Sequence, residues 1–208
     1  GLYKTYYANV VPIVPNQKGE LRQLDGLIAT RHFCSFGNMK HVSILIPKGH
    51  TSVSNIEGTH QILNTVNGML RDMGREPVFD VKLVGVLPET KQTTGLFTIN
   101  PDVMIADVKK TDIIIIPAIH GDHAQMLENN KEFLQWIVKQ YKQGSEIVSF
   151  CIGAFLLAET GLLDGKKCTT HWLHANRFRA MFPQVELLDD KIMTEEQGIY
   201  TSGGAYSY

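Results

Sequence analysis

Basic clusters, long apolar runs and cysteines are all scarce in this chain, and each scarcity removes a class of function. Its 20 Lys and Arg are balanced by 21 Asp and Glu, for a formal net charge of −1. With no Lys/Arg run, the chain carries no electrostatic footprint for direct contact with nucleic acid. No apolar stretch approaches the roughly 20 residues that span a bilayer, and no secretory signal is visible, so no membrane partner is expected. The three cysteines, Cys34, Cys151 and Cys168, are odd in number and unrelated in spacing. They argue against a disulfide framework and suggest a reducing cytoplasm. Without a CxxC or a Cys/His cluster, no metal and no cofactor is expected.

What is present is the composition of a folded domain. The 208 residues, 43% of them hydrophobic, suffice for one domain, or one domain plus an arm. Strands and helices alternate. His41 to Ile46 reads as a strand ended by Pro47-Lys48-Gly49. Ile62, Leu63, Val66, Met69, Leu70 and Met73 recur at helical spacing, and Gly74 and Pro77 stop that helix. Phe79 to Val86, Leu96 to Ile99 and Asp112 to Pro117 read as strands. Asn130 to Gln143 reads as a helix with Phe133, Trp136, Ile137 and Tyr141 inward. A strand Glu146 to Phe150, a helix from Phe155, a brief strand Lys167 to His171 and a helix Trp172 to Phe182 follow, then two or three strands up to Ser202. Apolar strands separated by amphipathic helices imply a parallel sheet covered on both faces, an α/β fold. In such sheets ligands bind beyond the carboxyl ends of the strands. The loop from Gly49 to Gly58, the turn from Pro117 to Gly121, and Cys151 all lie at that edge.

Cys151 carries the most chemical information. A short buried strand runs directly into Cys151-Ile152-Gly153 and then into a helix, which is the strand-turn-helix context of a nucleophile elbow with sulfur in place of the serine oxygen. A helix amino terminus aimed at the sulfur favours thiolate over thiol. The competing reading is a buried structural cysteine. His171 is the natural proton-transfer partner of Cys151; its competing role is a core histidine bonded to backbone.

Four pieces in this order resemble the ThiJ/PfpI superfamily, a branch of the class I glutamine amidotransferase-like fold. They are the strand into Pro47-Lys-Gly49, the Cys151 elbow with Phe155-Leu-Leu-Ala-Glu-Thr-Gly-Leu-Leu-Asp-Gly165, the run Thr169-Thr-His171-Trp172, and the late hairpin ending Thr201-Ser-Gly-Gly204. The resemblance covers roughly Met39 to Tyr208 and implies a flavodoxin-like three-layer sandwich with a mostly parallel sheet. Ile56-Glu57-Gly58 and Ser202-Gly-Gly-Ala-Tyr206 are similar to the branch that forms the amino-terminal sensor domain of AraC-family transcriptional regulators. In that branch a further helix and a helix-turn-helix DNA-binding part would follow Tyr208. Residues 1–38 match nothing in the resemblance and read as an amino-terminal arm or extension, with Leu21, Leu24 and Ile28 on one helical face.

The site implied by the resemblance departs from its catalytic members in two places. They carry a carboxylate in the loop after the first strand; here the matching position is Asn55, or Ser54 if the loop is gapless, with Glu57 the one carboxylate nearby. They place glycines after the strand that ends here at Pro117, where backbone N–H groups can stabilise an oxyanion; here the run is Ala118-Ile119-His120. Ile152 and Trp172, next to the two reactive candidates, complete the expected pocket. Two functions follow. The first is a ligand-sensing, dimerising regulator domain that binds an unknown small-molecule effector and reaches DNA only through a part outside this chain. The second is a stand-alone cysteine-dependent hydrolase, hydratase or glyoxalase-like enzyme.

Overall fold

A computed structural model describes residues 39–92 and 95–204. The arm expected over 1–38, Cys34 and the Ala205-Tyr206 ending lie outside the described residues. β1 (Lys40–Ile46) is followed by the two-residue β2 (His50–Thr51) and the long α1 (Val53–Asp72). β3 (Phe79–Gly85), β4 (Thr90–Lys91), β5 (Thr98–Ile99) and β6 (Val103–Met104) come next. Then follow β7 (Ile113–Ile116), β8 (Ile119–His120), α2 (His123–Lys142), β9 (Glu146–Phe150) and α3 (Gly153–Ala158). The chain closes with β10 (Lys167–Cys168), a 3-10 turn over Trp172–His174, α4 (Ala175–Met181), β11 (Glu186–Leu187), β12 (Met193–Glu196) and β13 (Ile199–Ser202).

Seven strands form the central sheet in the order β12-β13-β9-β7-β1-β3-β6. Every neighbouring pair is parallel except β12 with β13, an antiparallel hairpin at one edge. Period-2 alternation sends side chains to two cores. Leu45, Ile114, Ile116 and Ile147 face the side covered by α2, α3 and α4, and pack with Phe133, Leu156 and Phe178. Val42, Ile44, Ile46 and Ile115 face the other side, where Ile56 of α1 meets them. The result is the flavodoxin-like three-layer α/β sandwich, with the first strands' carboxyl ends gathered on one rim.

Two helices differ from their sequence reading, for physical reasons. α1 begins at Val53, nine residues before Ile62, because its first turns bury polar Asn55 and Thr59 along with Ile56, so no apolar period announces them. Its buried positions also include Asn67, whereas Ile62, Met69 and Met73 face outward, exposed by 41, 57 and 69%. α2 starts at His123 and kinks at Asn130 (φ −125°, ψ 15°), the position where the apolar period begins. Asn130 is fully buried; its amide donates to the Lys48 and Met126 carbonyls and accepts the Lys48 N–H at 2.8 Å, tying α2 to the loop after β1. The brief strand at Lys167 stops at Cys168, and the helix expected from Trp172 opens as a 3-10 turn.

Candidate functional site at the elbow

Between the end of β9 and the start of α3, Cys151 takes a φ of +53°. That left-handed conformation costs a non-glycine residue about 1–3 kcal/mol and persists only where the surroundings fix it. They do so from both sides. The Cys151 N–H donates to the Ser202 carbonyl of β13 at 2.9 Å, and the Cys151 carbonyl accepts the Thr170 hydroxyl at 2.9 Å. Thr170 is itself buried, and the adjacent Thr169 N–H donates to the Thr201 hydroxyl at 2.7 Å. Glycine at 153 is a steric necessity: a Cβ there would lie 2.6 Å from the Pro117 carbonyl oxygen and 3.0 Å from that of Ile116. The Cys-x-Gly sequence thus does build a strand-to-helix elbow against the end of β7.

The electrostatics of the sulfur differ from the expected ones. Burial pushes the Cys151 thiol above its ordinary value, and the Ile152 N–H opposes this only in part. α3 is six residues long, so its end carries little of a macrodipole. Cys168, fully buried, is pushed up to about 12 by desolvation. Both described cysteines therefore rest as thiols at neutral pH.

His171 caps the 3-10 turn, its Nδ1 accepting the Leu173 N–H at 3.2 Å, and its ring stacks on Trp172 with centroids 5.7 Å apart. Among the described residues no hydrogen bond joins His171 to the Cys151 sulfur. Trp172 is 69% exposed. Asn55 is fully buried, and its Oδ1 accepts the Ala118 N–H at 3.1 Å, while the Ser52 N–H donates to the Ala118 carbonyl at 2.9 Å. The Asn55 amide thus occupies the Ala118 N–H and ties α1 to the turn after β7. Glu57 is exposed; at about 100° per residue it lies roughly 200° around α1 from Asn55, on the side away from the elbow.

Sequence reading missed the surroundings of His120. β2 and β8 pair antiparallel, placing His50 opposite His120 with ring centroids 5.1 Å apart. Desolvation lowers the His120 pKa below its ordinary value, helped by repulsion from His50, His174 and His171. His174 is lowered too, by burial and then by His171 and Arg177. A small cavity of about 70 Å³ opens among Ile119, His120, Ile152, Phe155, His174 and Arg177. Beside it, His123 and Glu159 pair at 2.8 Å. These residues converge from four distant segments, and the one signal in the sequence was their position after strand ends.

The sequence profile of the DJ-1/PfpI family matches residues 63–207. The chain belongs to that family. Among curated relatives, it is 26% identical over 110 residues to the HTH-type transcriptional regulator CdhR of Pseudomonas aeruginosa, a match covering 53% of this chain and 32% of that protein. It is 29% identical over 113 residues to isonitrile hydratase of Pseudomonas putida, covering 54% of this chain and 46% of the enzyme. The matched part thus spans less than half the length of either relative. Among solved structures, a protein assigned as a transcriptional regulator from Vibrio parahaemolyticus superposes with a TM-score of 0.70 at 25% identity, covering 81% of this chain and 85% of that one. An AraC family transcriptional regulator from Pseudomonas putida gives a TM-score of 0.62 at 13% identity, covering 81% and 85%. The proteins this chain is similar to thus include both regulators and an enzyme.

Proposed function

We propose that residues 39–208 are the ligand-sensing and dimerisation domain of a cytoplasmic AraC-type transcriptional regulator, with residues 1–38 an amino-terminal extension. DNA would be contacted by a helix-turn-helix part outside this chain. The observation that carries the reading is Asn55. By resemblance it, or Ser54 if the loop is gapless, stands where catalytic members of the family carry a carboxylate, and neither side chain ionises; the Asn55 Oδ1 accepts the Ala118 N–H. A positioned acid or base typically contributes about 10²–10⁴-fold to rate, and an amide cannot supply it. A thiol held above its ordinary pKa, with no bond to His171, adds to the case. The regulator relatives support the same choice.

The second reading is a cysteine-dependent hydratase or hydrolase, favoured by the left-handed elbow at Cys151 and the likeness to isonitrile hydratase. A substrate panel of amides, isocyanides and 2-oxoaldehydes separates the two. No turnover by the wild type is expected. Robust activity that disappears in Cys151→Ala would overturn the regulator reading, whereas activity gained only in Asn55→Asp would support it. Sequencing the gene beyond the Tyr208 codon gives a second readout: a helix-turn-helix coding region is expected there.

A further inference from the structure

His120 borders two spaces. The larger, about 290 Å³, is walled by His50, Gln92, Phe97 and the start of α1, and among the described residues no permanently charged side chain lines it. The smaller, about 70 Å³, lies beside the elbow, where Ile152 and Phe155 meet His120, His174 and Arg177. It has room for a head group of a few atoms, whereas a whole drug-sized ligand takes about 300 Å³ or more. Charge separates the two spaces, because only the smaller holds a permanent cation.

Basic groups converge on the smaller space from separate segments. His120 comes from β8, His174 closes the 3-10 turn, and Arg177 lies three residues on, in α4. The rings of His171 and His174 are neighbours, with centroids 5.9 Å apart, and His50 faces His120 at 5.1 Å. Burial lowers the His174 pKa, and repulsion from His171 and then Arg177 lowers it further. That repulsion brings the Arg177 charge near the His174 ring, at the mouth of the cavity both line. Gathering like charges costs free energy unless an opposite charge joins them. Among the described residues none does. The side chains of His120, His174 and Arg177 make no hydrogen bond or ion pair there, and no carboxylate lines the cavity. Two carboxylates stand near lining residues, and both are engaged. Asp122 caps α2 by accepting the Gln125 N–H at 3.0 Å, and Glu159 pairs with His123 at 2.8 Å. Apolar Ile119, Met126, Ile152 and Phe155 form much of the remaining wall, and such surroundings strengthen any charge pair formed beside them.

We propose that this cavity holds the anionic head group, carboxylate or phosphate, of the effector, between the Arg177 guanidinium and the rings of His174 and His120. The guanidinium fork matches either oxyanion with two parallel N–H donors. Each imidazole adds one N–H when neutral and both when protonated. A bound anion favours the protonated rings, so affinity rises as pH falls towards and below 6.5, the ordinary histidine value. The proposal rests on the regulator reading in calling the occupant an effector; the recognition itself uses no chemistry at Cys151.

The test follows the histidine ring C–H signals by NMR in the 208-residue chain. It is titrated with sodium acetate and, separately, sodium phosphate, against sodium chloride at matched ionic strength. Saturable shifts centred on His120 and His174 are expected, with acetate bound about threefold more tightly at about pH 6 than at about pH 7.5. Saturation by acetate alone would assign a carboxylate head group, by phosphate alone a phosphate, and by both the oxyanion chemistry they share. Arg177→Gln, at the exposed end of the site, should weaken binding by about tenfold. Arg71→Gln removes the same charge from α1, outside the cavity, and should change binding by less than about twofold. His174→Gln should flatten the pH dependence, and it serves if Arg177→Gln folds poorly. Shifts that grow linearly with concentration, that chloride reproduces, that ignore pH, or that Arg71→Gln weakens as much as Arg177→Gln would overturn the proposal. Anion binding together with Cys151-dependent turnover would remove the regulator reading alone; a helix-turn-helix downstream with no saturable anion binding would remove this one alone.

Discussion

At the scale of single residues, the elbow uses an uncommon backbone conformation to place a sulfur that is chemically quiet. Cys151 and Cys168 both carry raised pKa values from burial, Cys168 to about 12. Raised thiol values mean that the reactive thiolate appears only as pH climbs past the ordinary value of about 9. Labelling of Cys151 by iodoacetamide should therefore be slow at pH 7 and accelerate above pH 9, with Cys168 slower still at every pH. Mass spectrometry that found rapid Cys151 alkylation at pH 7 would remove burial as the controlling effect. The sequence showed where the sulfur would sit, because Cys-x-Gly between a strand and a helix admits few geometries. It did not show the sulfur's electrostatics, since α3 ends after six residues and desolvation depends on neighbours contributed by other segments.

At the scale of elements, three buried asparagines join helices to loops. Asn55 links α1 to the turn after β7, Asn67 links α1 to the start of β3, and Asn130 links α2 to the loop after β1. Each amide both donates and accepts, or fills an acceptor role that a backbone carbonyl would otherwise take. Asn130→Ala would leave the Lys48 N–H and carbonyl without partners. A buried unsatisfied group costs about 1–3 kcal/mol, so this variant should lose roughly 2–4 kcal/mol in urea denaturation; a loss below ~0.5 kcal/mol would mean the kink does not depend on the amide. These linkages explain what sequence reading caught and missed. β1, β7 and β9 were legible because fully buried strands are continuous in Val and Ile. The first turns of α1 and α2 were not, because their buried faces are held by amides and threonine, which carry no apolar period. Two-residue strands such as β2 and β8 show no period at all, and with them went His50 and the cavity it lines.

At the scale of the whole molecule, the outward stripe of α1 bears on assembly. Ile62, Met69 and Met73 recur at helical spacing on a face that β1 and β3 do not cover. Val66 lies between them, half-buried. Regulators of paired half-sites are two-fold dimers, and an isologous contact along this stripe would bury it against itself. The chain is expected to run as a dimer in light scattering at micromolar concentration, and the double substitution Ile62→Lys with Met69→Lys should shift it to monomer without changing its fold. A monomeric wild type at high micromolar concentration would sink the dimer.

The support of the elbow by β13 has a consequence for the order in which the protein can come into being. On a ribosome, β1, β3, β7 and β9 emerge early and already include the middle of the sheet. The carbonyl of Ser202 and the hydroxyl of Thr201, which hold Cys151 directly and through Thr169-Thr170, belong to the last described strand. Until that strand is synthesised and slots beside β9, the Cys151 N–H lacks the Ser202 carbonyl that supports one side of its left-handed turn. The middle of the sheet is thus translated before the strand that completes the support of its rim, and the elbow is fully braced only after Ser202 has left the tunnel.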